Sequence, residues 1–232
     1  MSFPKDYHIT AADETVAHAV ARSLHHEQLA LTKRRKARKL PKNMCPLKKA
    51  QAIAGADLIM SGGDPKSFFM VAYFGSATTK DGGLGFGLGA DVCVIDGQNR
   101  KTDHHTLAAV SSHAAARVLG RTVHSADRNA MREVLRPALA EIAALWLRHY
   151  KTFNSLVGRE VAIITERGAL LGKVTGGRET QFCLSTWLDS HTASGAEIPN
   201  LCNTVKTESR KAIIAVKNDE HQWPPQWSRI ES

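Results

Sequence analysis

Between Arg159 and Leu188 the chain repeats one pattern three times. "REVAIITE" (159–166), "ALLGKVT" (169–175) and "TQFCLSTWL" (180–188) are short runs of apolar and β-branched residues, parted by Arg167-Gly168 and by Gly176-Gly177. Runs of this length, punctuated by glycine, predict strands joined by tight turns in an antiparallel meander. "KAIIAVK" (211–217) predicts a fourth strand. The preceding segment has another period. Residues 125–150 place Met131, Val134, Leu135, Leu139, Ile142, Leu145 and Trp146 on one face of a helix, which Pro137 is expected to kink or divide. Helices followed by a meander predict an α+β fold, with the helices packed on one face of a three- to four-stranded antiparallel sheet.

The N-terminal part has a different character. Residues 11–40 read as a helix, with Thr10 as cap, Asp13 and Glu14 in the first turn, and Val16, Val20, Leu24 and Leu31 at helical spacing. Pro41 and Pro46 break it, residues 47–60 predict a second short helix, and "SGGDP" a turn. "SFFMVAYFGSAT" (67–78) and "ADVCVIDG" (90–97) predict two strands connected by the glycine-rich "KDGGLGFGLG", and residues 106–119 an alanine-rich helix ending at Gly120. That glycine run lacks the lysine-serine/threonine ending of a phosphate loop and precedes a strand. "AEIPNLCN" reads as irregular. The expected division is a basic helical arm (1–60), an α+β domain (61–217) and a tail with tryptophan and proline (218–232).

Charge points to a partner. The chain carries a formal net charge of +9, and residues 33–49, "KRRKARKLPKNMCPLKK", hold Lys33, Arg34, Arg35, Lys36, Arg38, Lys39, Lys42, Lys48 and Lys49 with no acid, which accounts for the whole excess. So dense a block attracts polyanions by releasing their counterions, so nucleic acid is the expected partner, RNA favoured; the other readings of the block are a solvated charged face or an acidic protein partner, and a protein partner or inhibitor is the further partner considered. No stretch matches a membrane span, and the N-terminus "MSFPKDYHIT" has no basic region followed by an apolar run, so the expectation is a cytoplasmic protein with no membrane partner. Cys45, Cys93, Cys183 and Cys202 are scattered, which fits structural thiols better than a zinc site or a disulfide framework.

"SSHAAARVLGR" (111–121), followed by a helix and then by "VAIITERGALLGKV" and "FCLSTWL", resembles the serine/threonine-x-histidine-alanine-x-x-arginine helix and terminal hairpin of small toxin-type ribonuclease domains, the superfamily of barnase, colicin ribonucleases and Rel-type toxins. The resemblance covers residues 110–188 and matches no glutamate base. It implies metal-independent RNA cleavage, which needs a base for the 2′-hydroxyl, an acid for the leaving oxygen and cationic donors for the phosphorane. His113 would then act as base or acid, Arg117 and Arg121 as phosphate clamps, and Thr186 as a hydrogen-bonding group. His113 and Arg117, at i and i+4, share a helix face.

A second motif competes. "TDHHT" (102–106) has the aspartate-histidine-histidine order that in phosphoesterases binds divalent metal, but no second aspartate-rich motif lies upstream. His104 and His105 therefore read as helix-entry residues or an accessory RNA contact, and neither metal nor cofactor is expected. His25 and His26 extend the basic surface or lie on a wet helix face; Trp187 reads as packing, and Trp223 and Trp227 as docking residues. The resulting expectation is an RNA-directed protein with a toxin-like endoribonuclease activity. The alternatives are a non-catalytic nucleic-acid-binding subunit of a ribonucleoprotein or mobile-element assembly, and an interaction protein whose arm meets an acidic partner.

Overall fold

The computed structural model describes residues 15–23, 25–26, 40–41, 43–64, 66–78, 84–177, 179–190, 197–218 and 226–230. Helix α1 covers residues 15–23 and 25–26 of this set. After it come α2 (Pro46–Ala54), a 3-10 turn (Gly55–Asp57), β1 (Leu58–Asp64), β2 (Phe68–Thr78), β3 (Leu84–Asp96), β4 (Asn99–Ser111) and α3 (Ser112–Val118), which runs into a π-turn (Leu119–Val123). Then come α4 (Arg128–Arg148), α5 (Tyr150–Ser155), β5 (Glu160–Thr165), β6 (Gly168–Thr175), β7 (Gln181–Asp189), α6 (Glu197–Thr207), β8 (Ile213–Lys217) and β9 (Trp227–Ile230).

The fold is α+β, and the sheet is larger than the sequence suggests. Among the described residues nine strands lie in the order β1-β2-β3-β4-β7-β6-β5-β8-β9. Two antiparallel blocks are welded by one parallel pair, in which Ala108–Val110 of β4 lie against Phe182–Leu184 of β7. The expectation of three to four strands is thereby corrected. Strand β4 departs furthest from its sequence pattern, because alanine favours helix intrinsically, yet Ala108, Ala109 and Val110 are fully buried between two strands and the helix begins only at Ser112. Pairing on both sides overrides propensity there.

From Leu84 onward the glycine-rich segment is strand, and its first four residues lie outside the described set. Gly85, Gly87 and Gly89 lie within β3, paired to both β2 and β4. A Cβ at Gly85 would run into the Val110 carbonyl, and one at Gly87 would stand 2.8 Å from the Ala108 carbonyl oxygen. Bare backbone lets the strands curl closely together there.

Helices cover both faces, which corrects the one-face arrangement. On the first face, Met70, Ala72, Phe74, Leu88, Ile163, Leu170 and Trp187 pack against α1, α3, α4 and α5 through Ala17, Val20, Ala115, Leu135, Leu139, Ile142 and Phe153. The alternate residues Phe69, Val71 and Cys93 turn to the second face and pack on α2 through Leu47, Ala50 and Ala54. Ala162, Ile164, Ile213 and Ala215 do the same under Ile198, Cys202 and Val205 of α6. Residues of the N-terminal arm thus belong to the main core, and β9 from the tail is hydrogen-bonded to β8.

Helix α4 is one unbroken element of 21 residues with Pro137 inside it, so the proline does not divide it. It is fastened to the 3-10 turn by a buried ion pair, with Arg132 Nη2 2.6 Å from Asp57 Oδ1. Arg136 donates to the Leu58 carbonyl, and both guanidinium groups lie over the Phe74 ring.

Candidate functional site

Strand β4 passes into α3 through a side-chain cap. Ser111 Oγ accepts from the Ala114 N–H at 3.1 Å and donates to the Ser185 carbonyl at 2.9 Å, pinning the helix start to β7. Ala114, Ala115, Ala116 and Val118 are buried, so α3 lies close on the sheet. The helix does not end at Gly120 as the sequence suggests: it widens into the π-turn and stops at His124, which takes a left-handed conformation (φ 54°). A single wider turn rotates the residues beyond it relative to α-helical spacing, and such turns recur at functional sites.

That rotation bears on Arg121, while His113 and Arg117, both before it, meet different neighbours. His113, half-buried, faces α1: its Nδ1 lies 3.2 Å from His18 Nε2 and the two rings stack at 5.2 Å. Arg117 and Thr186 are brought together, Arg117 Nη1 donating to Thr186 Oγ1 at 2.7 Å. Thr122 accepts from Trp187 Nε1 at 2.9 Å, fixing the π-turn to a fully buried tryptophan. Arg121, one turn beyond Arg117, lines a separate cleft.

The cleft encloses about 680 Å³ between the π-turn, the β5–β6 turn, the end of β7 and α6. Arg121, Arg167 and Lys206 reach it from three elements, with His124, Thr122 and Asn203 beside them. Two carboxylates belong to it, Asp189 and Glu166; Glu166 lies 4.0 Å from Arg167 and Asp189 is buried. Beneath the cleft, burial pushes the Cys202 thiol up to about 11, with Asp189 adding to the effect, so this cysteine stays protonated and inert at neutral pH.

Sequence reasoning missed Arg167 and Lys206. Arg167 reads only as a turn residue, and Lys206 lies beyond a stretch taken as irregular. The signal was the i, i+4, i+7 spacing of Ile198, Cys202 and Val205, the buried stripe of α6. Pro199 lies in its first turn, where a missing N–H costs nothing.

A second polar cluster lies on the second face of the sheet, in the block that α2 covers. Asp91 on β3 is directly opposite His104 on β4, and Tyr73 on β2 reaches the same carboxylate. Asp91 Oδ1 is 3.0 Å from His104 Nδ1 and 3.1 Å from the Tyr73 hydroxyl, which is itself 3.2 Å from His104 Nδ1. Gly89 leaves room for both rings, since a Cβ there would stand 3.1 Å from Tyr73 and 3.3 Å from His104. Burial, then the Asp91 charge and hydrogen bond, hold the Tyr73 phenol well above the ordinary tyrosine range. His105 turns the opposite way, 3.3 Å from Glu179 and against Trp146. The two histidines are therefore mid-strand residues rather than a helix entry, and alternation sends them to opposite faces.

Of the basic block, Lys33, Arg34, Arg35, Lys36, Arg38, Lys39 and Lys42 lie outside the described residues, as does Trp223. Lys48 and Lys49 are exposed on α2. Lys49 lines a cavity of about 280 Å³ together with Asp91, Thr102, Cys93 and Phe69. Among the described residues no group of three or more His, Cys, Asp or Glu side chains is placed to hold a metal ion, and no helix is long and apolar enough to cross a membrane. Compared with known proteins, the chain matches no family model, no curated protein and no solved structure.

Proposed function

We propose that this chain is an RNA-directed, nucleic-acid-binding protein. The observation that carries the reading is the convergence of Arg121, Arg167 and Lys206 on one open cleft. Cations delivered by three separate elements make a surface for successive phosphates, and hydroxyl and amide groups beside them, from Thr122 and Asn203, supply neutral donors. The basic block at 33–49 adds the sequence-independent attraction expected of such a protein.

A second reading, a metal-independent endoribonuclease of the toxin type, is favoured by the Arg117–Thr186 hydrogen bond, which unites two residues 69 positions apart that the resemblance groups together. The test for both is incubation of purified protein with labelled RNA and DNA, with and without chelator. Binding that prefers RNA and no cleavage supports the first reading alone. Chelator-resistant RNA cleavage that disappears in Arg117→Ala while binding persists supports the second. Absence of binding to either polymer at low salt overturns both.

A further inference from the structure

We infer that His104, oriented by Asp91, is a general base that cleaves RNA laid along the second face of the sheet. The inference rests on the RNA-directed reading and adds a catalytic centre to it, away from the cleft at Arg121.

The geometry sets the tautomer. A carboxylate can only accept, so Asp91 Oδ1, 3.0 Å from His104 Nδ1, holds the imidazole proton on Nδ1 and leaves the lone pair on Nε2. The same oxygen accepts from the Tyr73 hydroxyl, whose proton is held firmly, so tyrosine orients the carboxylate and takes no proton itself. The His104 side chain is 55 % exposed, and that exposure puts substrate within reach. At His113 the arrangement differs, because its Nδ1 meets another imidazole.

The surroundings supply the charge that phosphodiester chemistry requires. Arg100, Thr102 and His104 alternate along β4 opposite Ile95, Cys93 and Asp91, so all three share the face on which α2 is docked. Lys49 of α2 lines the cavity that Asp91 and Thr102 also line, and Lys48 and Arg100 are exposed. Lys48 and Lys49 are the last residues of the basic block. The described end of the block thus stands on α2, the helix docked on the face that carries His104. In the reaction, His104 Nε2 takes the 2′-hydroxyl proton, the 2′-oxygen bonds to phosphorus, and the P–O5′ bond breaks. The 5′-oxygen leaves with a proton from water, giving a 2′,3′-cyclic phosphate and a 5′-hydroxyl end, with Lys49, which lines the same cavity as Asp91, as the cation set against the developing negative charge.

The experiment measures single-turnover cleavage of a labelled single-stranded RNA by the full chain in chelator, with RNA affinity and melting temperature determined on the same samples. His104→Gly is expected to slow cleavage by about 10²–10⁴-fold at unchanged affinity, with imidazole in the buffer restoring part of the rate. Asp91→Asn is expected to slow it less and to alter its pH profile, as a positioning residue should. Tyr73→Phe reports whether the cluster is merely structural, because it removes a hydrogen bond and leaves the base. Full activity in His104→Gly overturns the inference, as does a loss that imidazole does not rescue in a variant that melts like the wild type. A wild-type protein that binds RNA without cleaving it also overturns the inference and leaves the RNA-directed reading intact; one that does neither removes both.

Discussion

Single residues in this protein are decided by what they face. His25 is the clearest case: it is 1 % exposed, lies edge-on to Phe86 at 6.2 Å, and is carried by the helix that leads towards the basic block. Burial pushes its imidazole below the ordinary value of 6.5; the Gly85 backbone acts against this and the His26 charge adds to it. A histidine with a lowered pKa in the folded state takes up its proton first in the unfolded chain. Its contribution to stability is therefore present above about pH 6.5 and declines as pH falls from there through the folded-state value. The melting temperature should drop between pH 7 and pH 5, and His25→Leu should flatten that drop. An equally steep acid slope in the variant would place the sensitivity elsewhere. The resemblance groups His113, Arg117, Arg121 and Thr186 in one set, and of these the structure brings Arg117 and Thr186 into contact. The position of Arg121 was not legible, since helical spacing gives no warning of a π-turn at Leu119–Val123.

At the scale of elements, amphipathic helices and strands joined by short glycine turns are easier to read than strands whose partners are distant in sequence. The 159–188 meander is present as β5, β6 and β7, and the apolar face of residues 125–150 is buried along α4. The helix pattern is written by burial on one side, which leaves a period in the sequence, and the strands are marked by β-branched runs that end at glycine turns. Strand β4 and the glycine-rich half of β3 are held from both sides by neighbouring strands, and β7 is distant in sequence. Alanine and glycine permit close approach there, and local propensity points elsewhere. Helix α4 bridges both halves of the sheet on the first face, so its face is a sensitive probe. Leu139 is fully buried, and Leu139→Ala should cost about 2–5 kcal/mol through the missing transfer energy and a residual cavity. Denaturant titration measures this directly; a cost under about 0.5 kcal/mol would mean the helix packs loosely.

Across the whole molecule, two antiparallel blocks joined at the β4–β7 parallel pair each carry a set of cations. The cleft with Arg121, Arg167 and Lys206 lies by α3 and α6, while Lys48, Lys49 and Arg100 lie by α2 and the β3–β4 hairpin. The net charge of +9 originates in the 33–49 block, so the cleft is distinguished by geometry rather than by excess charge. The most direct measurement is RNA affinity against salt concentration for the wild type and for the triple variant Arg121→Ala, Arg167→Ala, Lys206→Ala. Removing one phosphate-neutralising cation from a single-strand complex lowers the slope of log affinity on log salt by about 0.7. The account predicts weaker binding and a slope reduced by up to about 2, at unchanged melting temperature. Unchanged affinity and slope in the triple variant would contradict it, and would leave the cleft without a part in RNA binding.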